Sequence, residues 1–197
     1  MALKKVSQLV AVLPLFVISL ANAQQQADKP SPYDFAYGSL AMTELDSGGL
    51  EIGGSFIVAP NIYIFGSYQD WEANELVDRS IIQIGGGYYW DISENLDLAV
   101  GASFAESEID RRGASDFDDD GLILHAGLRG WLSPTIELSS FLFLDDSLGS
   151  DIDTVLEVGG QYFSSSNFSI GGRVRVDEDD TTLFIGVRFY FRRGGQP

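Results

Sequence analysis

Apolar and polar residues alternate along most of this chain with a period of two. The clearest run places Leu96, Leu98, Val100, Ala102 and Phe104 between smaller or polar residues. Such alternation gives a strand one apolar face and one polar face. The pattern recurs about ten times and predicts an all-β chain. The approximate strands are 33–45, 49–59, 61–72, 79–91, 95–109, 120–132, 135–145, 153–163, 167–177 and 181–191.

Two kinds of connection alternate between these predicted strands. Four are tight turns, at 59–61, 92–94, 133–134 and 164–166. The other five are acidic and mostly longer, and they lie around 46–48, 72–79, 108–120, 145–152 and 177–180. Of the 29 carboxylates, 21 lie in or beside these five connections. Because every second connection of an up-and-down meander lies at the same end, we predict one rim of tight turns and one acidic rim.

The two faces of the predicted strands differ in chemistry. One face is broadly apolar, as at Ile82, Ile84 and Trp90, whereas strands 33–45 and 61–72 break the clean alternation with aromatic residues. The opposite face carries Glu51, Asp97, Glu137, Glu157, Arg129, Arg173, Arg175 and Arg188. A closed barrel with an apolar outside is one of two structures that span a bilayer. We therefore predict a single-chain antiparallel up-and-down transmembrane β-barrel of about ten strands, with eight as the alternative.

The balance of four acids and four arginines predicts ion pairs in the lumen. Asp97, Arg129 and Glu137 lie a few residues above the tight turns on three successive strands, and Glu157 and Arg173 lie near mid-height on adjacent ones. Neighbouring strands are ~4.8 Å apart, so these side chains can bond. An unpaired charge there would be costly. We predict a plug of ion pairs that holds strand register, and a gated pore or proton path is the alternative.

The N-terminal residues have the features of a secretory signal. Lys4 and Lys5 precede an apolar stretch at 9–20, and small residues follow at 21–23. We expect Sec-type export with residues 1–23 removed, a periplasmic segment at 24–32, the barrel at 33–191 and a tail at 192–197. The chain has no cysteine, so disulfides and an N-terminal lipid-modified cysteine are excluded.

The net charge of −17 argues against a nucleic-acid partner, because phosphate binding needs basic patches. We expect no cofactor other than Ca²⁺ or Mg²⁺ at the acidic loops.

The glycine-rich strand at 82–89 and the last strand at 183–191, together with the signal peptide, resemble small outer-membrane barrels of Gram-negative bacteria. The broad group is the OmpA-like and OmpX-like barrels. The resemblance implies an outer-membrane location, with lipid and lipopolysaccharide as partners. It also implies insertion by the barrel-assembly machinery, which would read Phe191 as the terminal aromatic residue. The chain departs from the group in its extension at 192–197 and in its count of ten strands.

The sequence leaves four classes of function to compare. We favour a non-enzymatic barrel with an envelope-structural or surface-interaction role, and the alternative is a narrow channel for ions or small solutes. A soluble lipocalin-like barrel would keep its apolar side chains inside. A barrel enzyme would need His125, the single histidine, beside a serine or a carboxylate such as Asp120 or Glu137. No serine motif accompanies it, so we predict that His125 is a hydrogen-bonding lumen residue.

The longest acidic connection carries a candidate cation site. Asp116, Asp118, Asp120 and the following glycine resemble the opening of an EF-hand loop, but the twelfth position is Gly127 and a strand follows. The favoured interpretation is a solvated acidic loop, and a looser divalent site that bridges lipopolysaccharide phosphates is the alternative. Calorimetric titration should detect Ca²⁺ binding in the millimolar range, and the D116N/D118N/D120N variant should weaken it. The absence of a heat of binding at millimolar Ca²⁺ would rule out the site.

Overall fold

The computed structural model describes residues 31–43, 48–74, 77–111, 117–146, 152–178 and 180–191. Within these ranges the chain forms ten strands. They are β1 (Phe35–Thr43), β2 (Gly48–Ala59), β3 (Ile62–Asn74), β4 (Val77–Ser93), β5 (Leu96–Arg111), β6 (Phe117–Ser133), β7 (Ile136–Asp145), β8 (Asp153–Ser165), β9 (Phe168–Val176) and β10 (Thr181–Tyr190). No helix in this part of the chain is long and apolar enough to cross a membrane.

The ten strands form one closed antiparallel barrel in up-and-down order. Each strand pairs with its neighbours in sequence, and β1 closes the barrel by pairing with β10. The closing ladder runs from Phe35 opposite Tyr190 to Thr43 opposite Thr182. Closure leaves no strand edge with unpaired backbone groups, which is the condition for a sheet in lipid. The predicted architecture and the strand count of ten are confirmed.

The tight-turn rim is built from four two-residue connections, and each follows a register shift near the end of the preceding strand. The first turn contains Asn61, whose φ of 62° lies in the left-handed region that asparagine tolerates. Its side-chain amide donates a hydrogen bond to the carbonyl of Tyr89 at 2.9 Å. The turn chemistry seen in the sequence therefore ends strands at this rim.

The strands at the acidic end extend further than the sequence indicated. Residues 72–79 and much of 108–120 were expected to be loops, but β3, β4, β5 and β6 continue into both segments. Glu72 pairs with Asp78, and Ser107 pairs with Asp119. β6 continues for six residues beyond Ile123, where its pairing with β7 ends. β6 therefore extends beyond its pairing with β7 by ~20 Å along the strand, and the wall of β3, β4, β5 and β6 is the taller one.

The outward face of the barrel carries a band of exposed apolar residues. Its exposed residues include Ile84, which is 68% exposed, and Ile185, which is 49% exposed. On β4 the apolar positions run from Ile82 to Ile92, which is ~33 Å along the strand and ~25 Å after a tilt of about 40°. That height matches a bilayer-spanning band. A lipocalin-like barrel has the opposite arrangement, with its charged side chains outside.

Aromatic side chains mark the borders of this band. Tyr88, Trp90 and Tyr162 are exposed near the tight turns, and Phe104 and Tyr68 are exposed nearer the acidic end. Such girdles place amphipathic rings at the two interfaces of a membrane. The sequence did not show which face of β1 and which face of β3 points outward. In the structure the side chains of Phe35 and Tyr63 point inward and are buried.

The assignment of the outer face to lipid can be tested with a charge in the middle of the band. Ile185→Lys should lower the free energy of unfolding in lipid vesicles by about 2–4 kcal/mol, because the ammonium group would lie near the bilayer midplane. Ser80→Lys, on the outer face beyond the band, should cost at most about 1 kcal/mol. Urea unfolding followed by tryptophan fluorescence measures both. Equal effects of the two lysines would contradict the assignment.

Candidate functional site in the barrel lumen

Glu137 lies at the centre of one group of charges in the lumen. Its side chain is 1% exposed and lies between two arginines from different walls. Arg188 Nη1 donates to Glu137 Oε1 at 3.2 Å, and Arg129 Nε lies 3.7 Å from the same oxygen. Arg129 is on the neighbouring strand β6, whereas Arg188 is on β10, three strands away from β7. The Arg188 contact therefore ties distant parts of the wall together across the lumen.

A second group of charges is built around Arg173. Its guanidinium donates to Glu51 on β2, three strands away, and its Nε lies 3.1 Å from Glu157 Oε2. Arg175 Nη2 donates to the same Glu157 oxygen at 3.1 Å. Tyr37 completes the shell of Glu51 by donating its hydroxyl to Oε1 at 2.5 Å. These are charge-assisted bonds in a site sheltered from water, where such bonds are strong.

Asp97 is placed differently from the sequence expectation. Its Cα lies opposite that of Arg129 in the β5–β6 ladder, but Asp97 takes part in none of the ion pairs formed by the described residues. On its other side, its Cα lies opposite that of Asp91 in the β4–β5 ladder. Arg129 turns towards Glu137 and towards the backbone carbonyl of Pro32. The paired set in the lumen is therefore four arginines with three glutamates.

The residues just before β1 fold into the tight-turn end of the lumen. The ring of Tyr33 is 2% exposed and stacks between Tyr63 and Tyr89, at centroid distances of 4.9 and 4.3 Å. The Arg129 guanidinium lies 5.0 Å from the centre of the Tyr33 ring. The next residue, Asp34, accepts a hydrogen bond from the Ile57 backbone at 3.0 Å. We call Tyr33, Tyr63 and Tyr89 the tyrosine seal.

A second aromatic cluster fills the same end of the lumen. It consists of Phe35, Trp131, Phe163 and Tyr190, all of which are buried. The Phe163 ring lies 4.7 Å from Trp131 and 5.0 Å from Tyr190. These inward aromatic residues were missed by the analysis of the sequence. For Phe35 the available signal was the broken alternation in β1, which arises because inner and outer faces both carry apolar side chains there.

A cavity of about 140 Å³ lies in the lumen against the tyrosine seal and the ion pairs. His125 is on its wall, with Nε2 3.0 Å from the Tyr63 hydroxyl oxygen. The rings of Phe65, Phe141 and Phe143 surround the imidazole at 5.4–6.0 Å. The carboxylates named as partners for catalysis lie elsewhere, since Glu137 is held by arginines and Asp120 is exposed. The surroundings of His125 are those of a lumen residue with an aromatic shell.

Phe191 lies on the outer surface just after β10. It is 46% exposed, and its ring stacks on Phe56 with a centroid distance of 5.4 Å. Its backbone N–H donates to the carbonyl of Asp34 at 3.1 Å, which anchors the end of β10 beside the start of β1. The tail at 192–197 lies outside the described residues. Recognition of Phe191 by the assembly machinery stays a prediction.

The predicted cation site falls largely outside the described part of the chain. Asp116 is not described, nor is the side chain of Asp118, and Asp120 is exposed on β6. Among the residues and side chains that are described, no group of three or more potential ligands is arranged to hold a metal ion.

Comparison with known proteins places this fold among outer-membrane β-barrels. No protein-family model and no curated protein matches the chain. A KdgM porin is 12% identical with a TM-score of 0.51, and the match covers 80% of this chain and 99% of the porin. The translocator domain of the autotransporter NalP from Neisseria meningitidis is also 12% identical, with a TM-score of 0.49 and coverages of 95% and 96%. At these identities the similarity shows the fold alone.

The importance of the buried charges can be measured at Glu137. Glu137→Gln should lower the free energy of unfolding by about 3–5 kcal/mol, because Arg129 and Arg188 would both lose the buried carboxylate that they share. Urea unfolding in lipid vesicles is the measurement.

The matched control is Glu94→Gln at the exposed tight-turn rim, which should change the free energy of unfolding by less than about 0.5 kcal/mol. If Glu137→Gln were as mild as this control, Glu137 would not hold the network together.

Proposed function

We propose that this chain is a non-enzymatic outer-membrane barrel that is closed at rest and has an envelope-structural or surface-interaction role. The observation that carries the proposal is the tyrosine seal, in which the chain before β1 fills the tight-turn end of the lumen. The ion pairs above the seal support a structural role for the lumen. Short turns usually lie on the periplasmic side of such barrels, and this orientation puts the acidic end outside.

The surface available for interaction is the tall wall of β3, β4, β5 and β6. Above the apolar band its outer face carries the exposed carboxylates Asp70, Glu72, Asp78, Glu106, Glu108 and Asp120. Glu106 lies directly opposite Asp120, and Glu72 lies opposite Asp78. Like charges in such positions disfavour strand pairing. Their presence therefore supports a role in binding, with lipopolysaccharide bridged through Ca²⁺ or Mg²⁺ as the proposed partner.

Export and assembly follow the same proposal. A Sec-type signal at 1–23 would deliver the chain to the periplasm, and the barrel-assembly machinery would insert it with Phe191 as the recognised aromatic residue. Phe191 lies at the tight-turn rim on the outer face, where it is accessible to a partner. The resemblance to OmpA-like and OmpX-like barrels supports this route, and the extension at 192–197 distinguishes the chain from that group.

A narrow channel is the second candidate. The cavity between the seal and the ion pairs favours it, because this space already lies inside the lumen. The structural similarity to a KdgM porin is compatible with a channel.

Conductance in planar bilayers separates the two candidates. The unmodified protein should give no steady openings, because the tyrosine seal and the second aromatic cluster block the lumen. Tyr33→Ala removes the ring at the centre of the seal and should produce openings that the unmodified protein lacks.

Tyr68→Ala, which removes an exposed ring from the outer face, is the matched control and should stay silent. Steady openings of the unmodified protein would overturn the closed barrel in favour of the channel.

A further inference from the structure

The outer end of β6 has a strand neighbour on one side only. From Phe117 to Leu122 it pairs with β5, whereas its ladder with β7 begins at Ile123 opposite Asp145. Among the described residues, no other strand pairs with this stretch, which is ~20 Å long and which we call the β6 edge. Leu122 is an exposed residue of the apolar band, so the β6 edge rises directly above that band.

Hydrogen bonds on the two sides of β6 show which backbone groups face the open side. Trp131 donates its N–H to the carbonyl of Asn95, just before β5, and Leu122 accepts a bond from the N–H of Asp146, just after β7. The backbone groups of successive residues in a strand point to opposite sides, and the β5–β6 ladder has no register shift. Odd-numbered residues of β6 therefore face β5, and Asp120 directs its N–H and C=O groups to the open side.

The N–H of Asp120 is bonded locally rather than to a strand. Its acceptor is Oδ1 of the preceding residue, Asp119, at 3.0 Å. Side-chain oxygens of this kind compete for backbone groups that a ladder has not taken. Asp120 is exposed, so the carbonyl of an incoming strand can replace this acceptor. Addition of an extended segment to such an edge is a common mode of peptide recognition.

The charge beside the β6 edge selects the strand that fits. Asp120 is exposed on the outer face, Glu106 lies directly opposite it on β5, and Glu108 follows two residues along that strand. Among the described side chains, the outer face of the tall wall carries no lysine or arginine above the band. A second copy of this chain would bring the same carboxylates to the edge, and like charges in opposite positions disfavour pairing. A cationic strand forms favourable pairs instead.

Protection of the edge from aggregation does not account for this acidity. Charges on an edge strand prevent unwanted pairing, but that purpose needs them on β6 alone. The carboxylates extend to strands that have partners on both sides, since Glu72 pairs with Gly48 on β2 and with Asp78 on β4. Glu72 opposite Asp78 weakens that pairing without protecting any edge. The acidic surface beside the β6 edge therefore suits a cationic partner.

We propose that the β6 edge binds an extended cationic segment of a partner protein as an added antiparallel strand. The proposal rests on the surface-interaction role proposed above and names the chemistry of a partner. Directly opposite residues of an antiparallel pair share a face of the sheet, so the residue opposite Asp120 carries a lysine or arginine on the outer face. Its N–H and C=O groups face β6. The outer faces of β3 and β4 stay available to lipopolysaccharide.

The probe is a capped peptide of about seven residues in which lysine alternates with threonine, a length that matches the β6 edge. Fluorescence anisotropy of the labelled peptide measures its binding to the full chain in neutral detergent, with EDTA and without lipopolysaccharide. We expect saturable binding with a Kd on the order of 100 μM. A peptide with glutamine in place of lysine should bind at least about tenfold more weakly, because the charge pairs are lost.

Backbone methylation of the peptide separates strand addition from simple charge attraction. N-methylation of the lysine amides removes the N–H groups that face β6 and should weaken binding at least about tenfold. N-methylation of the threonine amides is the matched control, because those groups lie on the far side of the added strand. The control peptide should bind within about threefold of the unmodified peptide, because its hydrogen bonds to β6 are all retained.

Two substitutions at Asp120 locate the binding site. Asp120→Ala removes the carboxylate and should weaken binding at most about fivefold. Asp120→Pro removes the edge N–H as well, which an edge strand tolerates, and should weaken binding at least about threefold further. Asp70→Ala removes a carboxylate from β3, three strands away, and should change binding less than about twofold. Heat-modifiable migration on gels checks folding, and the methylated peptides carry the test if the proline variant does not fold.

Four outcomes would overturn the proposal. Three of them are no binding of the lysine peptide to the unmodified protein, equal binding of the glutamine peptide, and equal binding of the two methylated peptides. The fourth is a dimer of the chain in detergent, seen by sedimentation, that Asp120→Pro dissociates, because the edge would then belong to a second copy. None of these outcomes bears on bilayer conductance or on divalent ions, so failure here is distinct from failure of the closed barrel or of lipopolysaccharide binding.

Discussion

Pairing of β1 with β10 is the constraint on which the rest of the structure depends. Once Phe35 and Tyr190 face each other in the closing ladder, every strand has two neighbours and the sheet has no edge. Lipid offers no hydrogen bonds to the backbone, so only a closed sheet can expose its outer face to a bilayer. Closure also creates an enclosed inner space. The charged and aromatic side chains that point into it must satisfy one another there.

Arg129 contacts both groups of side chains that fill this inner space, the ion pairs and the tyrosine seal. Its guanidinium group is close to Glu137, donates to the Pro32 carbonyl and lies over the Tyr33 ring. One side chain thus belongs both to the ion pairs and to the seal. The position of the segment before β1 is therefore coupled to the charges deeper in the lumen. A change that moved the seal would also disturb the partner of Arg188.

The sequence predicted the faces of the strands better than it predicted their ends. Positions such as Ile82 and Ile84 were assigned outward from alternation alone, because the pleat sets side-chain direction locally. The acidic segments around Glu72 and Asp119 were expected to be loops, since charge clusters commonly mark loops. In the structure they are paired strand, because the tall wall extends beyond the apolar band and its outer carboxylates face water.

The period of two, the alternating turns and the excess of acid at one end determined the all-β meander, its two unlike rims and its apolar exterior. These are local properties of a strand and its turns. Only the tertiary structure decided which charges meet, because curvature brings Glu51 to Arg173 and Glu137 to Arg188 across strands that are far apart in the ladder. It likewise decided that Asp97 takes no part in the ion pairs of the described residues, and that Tyr33 turns into the lumen. Distances across a closed barrel depend on strand number and stagger, which no short stretch of sequence encodes.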